Sequence, residues 1–351
     1  MDNDITRVVG MDVSDRHSHI CILGVDGEVE EESKVSTTPH GLRRRFSEMG
    51  RVRVALEVGT HSPWIGRMLE ELGHEVILAN PRKLRSIYEN DDKSDRVDAE
   101  VIARLARSDP KLLYPVQVRS EERQMGLVVI RSRRVLVETR TKLVNHVRGV
   151  CKSLGVRLPK CTAASFHRRV VLFIPGEMFP SLEPVLRQLE GIEGSIRDCD
   201  GRIKEMSREI EGVDVITSAT GVGNLTAVTY VLTLGDPSRF RKSRKVGSYL
   251  GLRPKRDQSG EVDRQLPITR AGDVYLRSLL VGCAQYILGP FAPDTALRRW
   301  GLSVADRGGK GAKKRAVIAV ARKLSVIMHR LWVTGETYRP FPEGKPEEEA
   351  A

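Results

Sequence analysis

Aromatic residues are scarce in this 351-residue chain, at 5% of the total, so any core must be built from Leu, Val, Ile and Ala. Cysteine is scarcer still. Cys21, Cys151, Cys161, Cys199 and Cys283 are scattered, odd in number and nowhere spaced as C-x-x-C. That pattern argues against a disulfide framework and a thiolate zinc site, and leaves core-filling thiols. No run approaches the roughly 18 apolar residues of a membrane span. The opening residues have neither the basic start nor the apolar stretch of a signal peptide. A cytoplasmic protein with no membrane partner is expected. No G-x-G-x-x-G follows the first apolar run, which removes the dinucleotide-binding reading.

Positive charge is in excess. Lys and Arg number 58 against 46 Asp and Glu, a formal net charge of +12. Such an excess favours an anionic partner, nucleic acid first and acidic lipid second, with a merely basic soluble protein as the bland alternative. The length suits two ordinary domains and a connecting element.

The first stretch reads as short apolar runs and helices in alternation. Val8 to Val13 is a strand ending in an acid, and His19 to Gly24 and Glu28 to Val35 form a hairpin around Val25-Asp26-Gly27. His40 to Met49 is a helix, Val52 to Glu57 a fourth strand, Trp64 to Leu72 a helix and Glu75 to Ala79 a fifth strand stopped by Asn80-Pro81. Three strands in a meander, then helix, strand, helix, strand, is the order of a mixed sheet of the ribonuclease-H/RuvC kind. The expected class is α/β plus α: that sheet domain over 1–110, a helical coiled-coil segment over 111–212, a mostly helical domain over 213–338 and a disordered tail over 339–351. In the middle segment Glu121 to Gly155 has helical period, and Leu182, Leu186, Leu189, Ile196, Cys199, Ile203, Met206 and Ile210 make a narrow apolar seam. An antiparallel hairpin or a dimer seam fits it equally well.

Four carboxylates stand out by position. Asp12 closes the first strand and Glu57 the fourth. Asp95 and Asp98, after Ser94 as a helix N-cap, share one helical face about 5–6 Å apart at Cβ. Convergence of the four would suit hard divalent cations, magnesium or manganese in its place, assisting phosphodiester displacement. Taken singly, Asp95 is a first-turn acid favoured by the helix dipole and Glu57 an exposed strand end. Asp15, Asp91 and Asp92 are nearby spares.

The second half is basic. Phosphate-neutralising candidates are Arg131, Arg134, Arg140, Lys142 and Arg148, then Arg241, Lys242, Arg253, Lys255, Arg256, Arg270, Lys313 and Lys314. Gly221-Val222-Gly223 before a helix offers backbone N–H groups to one phosphate. Ser259, beside Gly260 and flanked by Arg256 and Arg264, could attack phosphorus with its developing charge balanced. By the bland account it is a turn serine. No Ser–His–Asp arrangement is legible.

Taken together these blocks resemble the insertion-sequence transposases of the IS-one-ten family, which include the Piv invertase and the bridge-RNA-guided recombinases. The resemblance spans nearly the whole chain. It is carried by Val9-Gly10-Met11-Asp12-Val13-Ser14, Ala55-Leu56-Glu57, Asn80-Pro81-Arg82-Lys83 and Lys93 to Ala99, then Gly221-Val222-Gly223, Arg239-Phe240, Tyr249 to Leu252, Ser259-Gly260, Ile268-Thr269-Arg270 and Ala321 to Leu324. It implies that Asp12, Glu57, Asp95 and Asp98 bind magnesium and that Ser259, rather than Ser243 or Ser248, attacks DNA and becomes transiently linked to it. It implies element ends and target DNA as substrates, a non-coding bridge RNA as guide, and a homodimer or homotetramer. The basic helices and the seam would then serve RNA binding and assembly. One departure is local: Val58-Gly59-Thr60 stands where the family has a small residue and then Thr-Gly. A hydrolytic nuclease with a structural Ser259, or a non-catalytic nucleic-acid scaffold, is the rival reading.

Overall fold

The computed structural model describes residues 6–84, 94–117, 120–259 and 262–341. It divides into two compact units, Met1–Glu121 and Glu122–Ala351. The tail expected from residue 339 lies, from 342 onward, outside the described residues, as do Asp91 and Asp92.

The first unit is a five-stranded mixed sheet in the order β3-β2-β1-β4-β5. Strands β1 (Val8–Val13), β2 (His17–Leu23) and β3 (Val29–Ser36) form the antiparallel meander; β4 (Arg53–Glu57) and β5 (Glu75–Ala79) run parallel to β1. Period-two alternation gives the sheet two apolar faces. Val9, Met11, Ile20, Val54 and Leu56 meet Leu42 and Phe46 of α1 (Pro39–Ser47) and Ile65 and Leu69 of α2 (Ser62–Glu71). The short α3 (Pro81–Leu84) follows β5. On the opposite face Val8, Ala55, Cys21 and Leu23 meet α4 (Asp95–Ser108) through Ala99, Ile102, Ala103 and Ala106.

Gly10 explains how close that helix lies. A Cβ at residue 10 would stand 2.0 Å from the Ala99 carbonyl oxygen and 2.6 Å from the Ala103 nitrogen, so α4 rests directly on the β1 backbone. Ala99 and Ala103 supply the matching flatness. Ser94 caps the helix, its hydroxyl accepting from the Val97 N–H at 3.4 Å.

The second unit begins with a helical pair, α5 (Glu121–Ser153) and α7 (Phe179–Glu209), with α6 (Phe166–Arg169) between them. Arg133 pairs with Asp200 at 2.5 Å and Arg140 with Glu193 at 2.7 Å, so one helix descends as the other rises. Further along, Val147 and Cys151 pack with Leu182, Leu186 and Leu189. The seam is thus satisfied within one chain as an antiparallel pair. The remaining helices are α8 (Val213–Thr217), α9 (Asn224–Leu234), α10 (Arg244–Tyr249), α11 (Val274–Leu288), α12 (Ala296–Asp306) and α13 (Ala312–Thr334). Helix α9 is buried from Thr226 to Leu234, and its Tyr230 hydroxyl donates to the Ser325 carbonyl at 2.7 Å. A polar two-stranded ribbon, β6 (Pro254–Ser259) with β7 (Val262–Ile268), completes the unit. The sequence reading did not anticipate this ribbon.

Candidate functional site

In the first unit Gly10 lies opposite Ala55 and Met11 opposite Leu56 on parallel strands, so Asp12 and Glu57 follow at the same sheet end. Met11 and Leu56 point into the α1/α2 core, and alternation therefore turns both acids to the α4 face. Because Ala99 sits over Gly10, the first turn of α4, with Asp95 and Asp98, stands over Asp12. Burial, and then the negative charges of Asp95, Asp98 and Glu57, pushes the Asp12 carboxyl up to about 6, against a hydrogen bond from the Val13 backbone that lowers it. The four acids thus share one electrostatic neighbourhood. They are not drawn to coordination distance: among the described residues no three His, Cys, Asp or Glu side chains are grouped so as to hold a metal ion.

Two histidines flank the acids. His19 lies opposite Asp12 on β2, and its Nε2 is 3.8 Å from Asp95 Oδ2. His61 joins the loops that follow the two acid-bearing strands. Trp64 Nε1–H donates to His61 Nδ1 at 3.2 Å, and since an indole N–H can only donate, the His61 proton is on Nε2, which donates to Asp15 Oδ1 at 3.1 Å. Asp15, a spare acid by sequence, is therefore held by an imidazole. Neither histidine had a spacing that marked it, because each is brought in by strand register or loop geometry.

In the second unit Ser259 is the exposed last residue of β6, facing Val262 across the ribbon; Gly260 lies outside the described residues. Arg256 is tied to Asp263 with Nε 2.7 Å from Oδ1, and Arg264 lies opposite Asp257. Ser243 has a base in hand. His329, buried, donates from Nε2 to the Pro237 carbonyl at 3.0 Å, which leaves Nδ1 to accept from the Ser243 hydroxyl at 3.0 Å. Burial lowers the His329 pKa, keeping it neutral.

The basic candidates divide by surroundings. Arg131, Lys142, Arg241, Lys242, Arg253, Lys255, Arg270, Lys313 and Lys314 are exposed. Arg140 is engaged with Glu193, Arg134 with Glu138 and the Tyr275 ring, and Arg148 with the Phe166 ring and the Pro159 carbonyl. Gly221 has a positive φ of 79° and Gly223 is the N-cap of α9, so the glycine turn does open a helix.

Three antiparallel strands followed by two parallel ones, with helices on both faces, define a RuvC-like sheet domain, here followed by a mostly helical region. A family model described as transposase matches residues 9–155, and one described as transposase of the IS116/IS110/IS902 family matches residues 213–296. A transposase for insertion sequence element IS1111A of Coxiella burnetii is 28% identical, over 95% of this chain and 91% of that protein. A transposase for insertion sequence element IS1328 of Yersinia enterocolitica is 29% identical, over 76% of this chain and 84% of that protein. A pilin gene-inverting protein of Moraxella lacunata is 29% identical over a shorter stretch, 33% of this chain and 35% of that protein. The chain belongs to the IS110/IS1111 family of transposases.

Proposed function

We propose that the protein is a DNA transposase that cuts and rejoins strands with magnesium, or manganese in its place, and a serine nucleophile. The observation that carries this reading is the convergence on Asp12, where acids of β4 and α4 add to burial in raising the cost of ionising that one carboxyl. Hard carboxylate oxygens are the donors such cations take, and gathering four without a cation is costly. When bound, the cations supply charge at the attacking and leaving oxygens of a phosphodiester displacement. Asp12, Glu57, Asp95 and Asp98 would hold them.

Ser259 acts as the nucleophile. Its Oγ forms a bond to phosphorus, the bond from phosphorus to one sugar oxygen breaks, and the serine proton leaves with that oxygen. Attack by a hydroxyl of the second strand reverses the exchange and frees the serine. The exposed Arg131, Lys142, Arg241, Lys242, Arg253, Lys255, Arg270, Lys313 and Lys314, with the Gly221–Gly223 turn, neutralise phosphates of DNA and of a guiding bridge RNA. Residues 1–110 serve as the metal half, 111–212 as a helical segment for RNA binding and assembly, and 213–338 as the serine half of a dimer or tetramer.

Ser259→Ala should abolish any protein–DNA adduct on a denaturing gel while leaving DNA binding intact; an undiminished adduct would contradict the assignment. A second reading has an observation of its own, the Ser243 hydroxyl resting on the neutral His329. The same gel decides it: an adduct that survives Ser259→Ala and vanishes with Ser243→Ala moves the nucleophile. Cut DNA with no adduct in the wild type leaves a hydrolytic nuclease.

A further inference from the structure

Beside the acidic site lies a cavity of about 300 Å³ whose walls include His19, Cys21, Glu32, Lys34 and Arg96. Strand register places it. Asp12 lies opposite His19 and His19 opposite Lys34, so acid, imidazole and ammonium stand in one row across β1, β2 and β3. All three share the face that carries α4, because Cys21, two residues from His19, packs with Ala99 of that helix. Two strand spacings separate the ends of the row, roughly 10 Å between Asp12 and Lys34.

The charges change sign along that row. Glu32 is neutralised by Arg96, whose Nε lies 2.9 Å from its Oε1 and whose guanidinium keeps further N–H donors. Lys34 is exposed, with no interaction partner among the described residues. The cavity therefore carries one surplus positive charge next to a cluster of negative ones. A lone metabolite would not need both. A polyanion whose one phosphate lies at the metal-holding acids requires a cation where its neighbouring phosphate passes.

We propose that this cavity is a subsite for the DNA strand being cut, with Lys34 and Arg96 holding a phosphodiester adjacent to the one at the acidic site. The inference rests on the metal-site reading given above. Its occupant is a strand, held by charge at the backbone and thus without regard to base.

Lysine acetylation, followed residue by residue with mass spectrometry on the full chain, tests it. Calcium replaces magnesium so that nothing is cut, and a single-stranded oligodeoxynucleotide is added to saturation as judged by anisotropy. Lys111, at the opposite sheet edge, is the internal reference. DNA should slow acetylation of Lys34 about fivefold relative to Lys111 and lower the salt dependence of binding by about one phosphate in Lys34→Gln. An unchanged Lys34 rate on saturated protein overturns the proposal. So does protection by RNA alone, or equal protection by inorganic phosphate, which would mark a different strand or a free-anion site. The two readings fail separately. Lys34 protection that is identical with and without calcium, and in Asp12→Asn, keeps the subsite and removes the metal.

Discussion

Asp12 and Ser259 both stand at the end of a β-strand, yet the strands are held very differently. The strand of Asp12 lies between two others in a five-stranded sheet, with a helix against its backbone at Gly10. The strand of Ser259 is half of a two-stranded ribbon, and it is exposed from Lys255 to Ser259. A two-stranded ribbon is marginal by itself. Packing on both faces of the sheet holds the strand of Asp12, whereas Ser259 sits at an exposed strand end. Within the second unit the same contrast holds between Arg140, whose ion pair is mostly enclosed, and Arg256, whose pair is open to water.

The contrast can be broken most sharply at Gly10. Gly10→Val would drive a side chain into the α4 backbone and should cost on the order of 3 kcal/mol or more in urea denaturation. Gly223→Ala, where an added Cβ meets nothing within 4 Å, should change stability little. Equal costs would mean that α4 does not rest on β1. Next in size, Arg140→Ala strands Glu193 in a pair whose side chains are 17% and 12% exposed, and should cost about 2–3 kcal/mol. Arg256→Ala, in the open pair, should leave the melting temperature unmoved. A smaller effect with a definite sign belongs to Asp12. Its folded pKa of about 6 exceeds the ordinary 3.8, so the folded form holds its proton more tightly and stability falls as pH rises between those values. Without metal, Asp12→Asn should therefore stabilise the protein at pH 7 by about 1 kcal/mol, after discounting for solvent screening at this half-buried group. Thermal melts at pH 4 and pH 7 check it, since the gain should vanish at the lower pH. A variant less stable than wild type at pH 7 would deny the crowding of charge.

Strands β1, β4 and β5 were legible because they are short apolar runs bounded by turn residues, and β1 and β5 keep the bounds read from sequence. The acids at the ends of β1 and β4 were legible for the same reason, since parallel strands bring like ends together. How Asp95 and Asp98 reach Asp12 was not. It depends on Gly10, and a glycine in a strand signals only that something approaches closely, without saying what. The ribbon β6–β7 escaped notice because a run such as Pro254–Ser259 is polar throughout and has no alternation to read. Ser243 and His329 are 86 residues apart, and only the packing of α13 against the loop before α10 joins them.

Calorimetric titration of manganese into the wild type and into Asp12→Asn, Glu57→Gln and Asp98→Asn bears most directly on the convergence of the acids. Saturable binding in the wild type that weakens about tenfold or more in each variant is the expected result. A wild type that takes up no manganese, or variants that bind it as the wild type does, would contradict it.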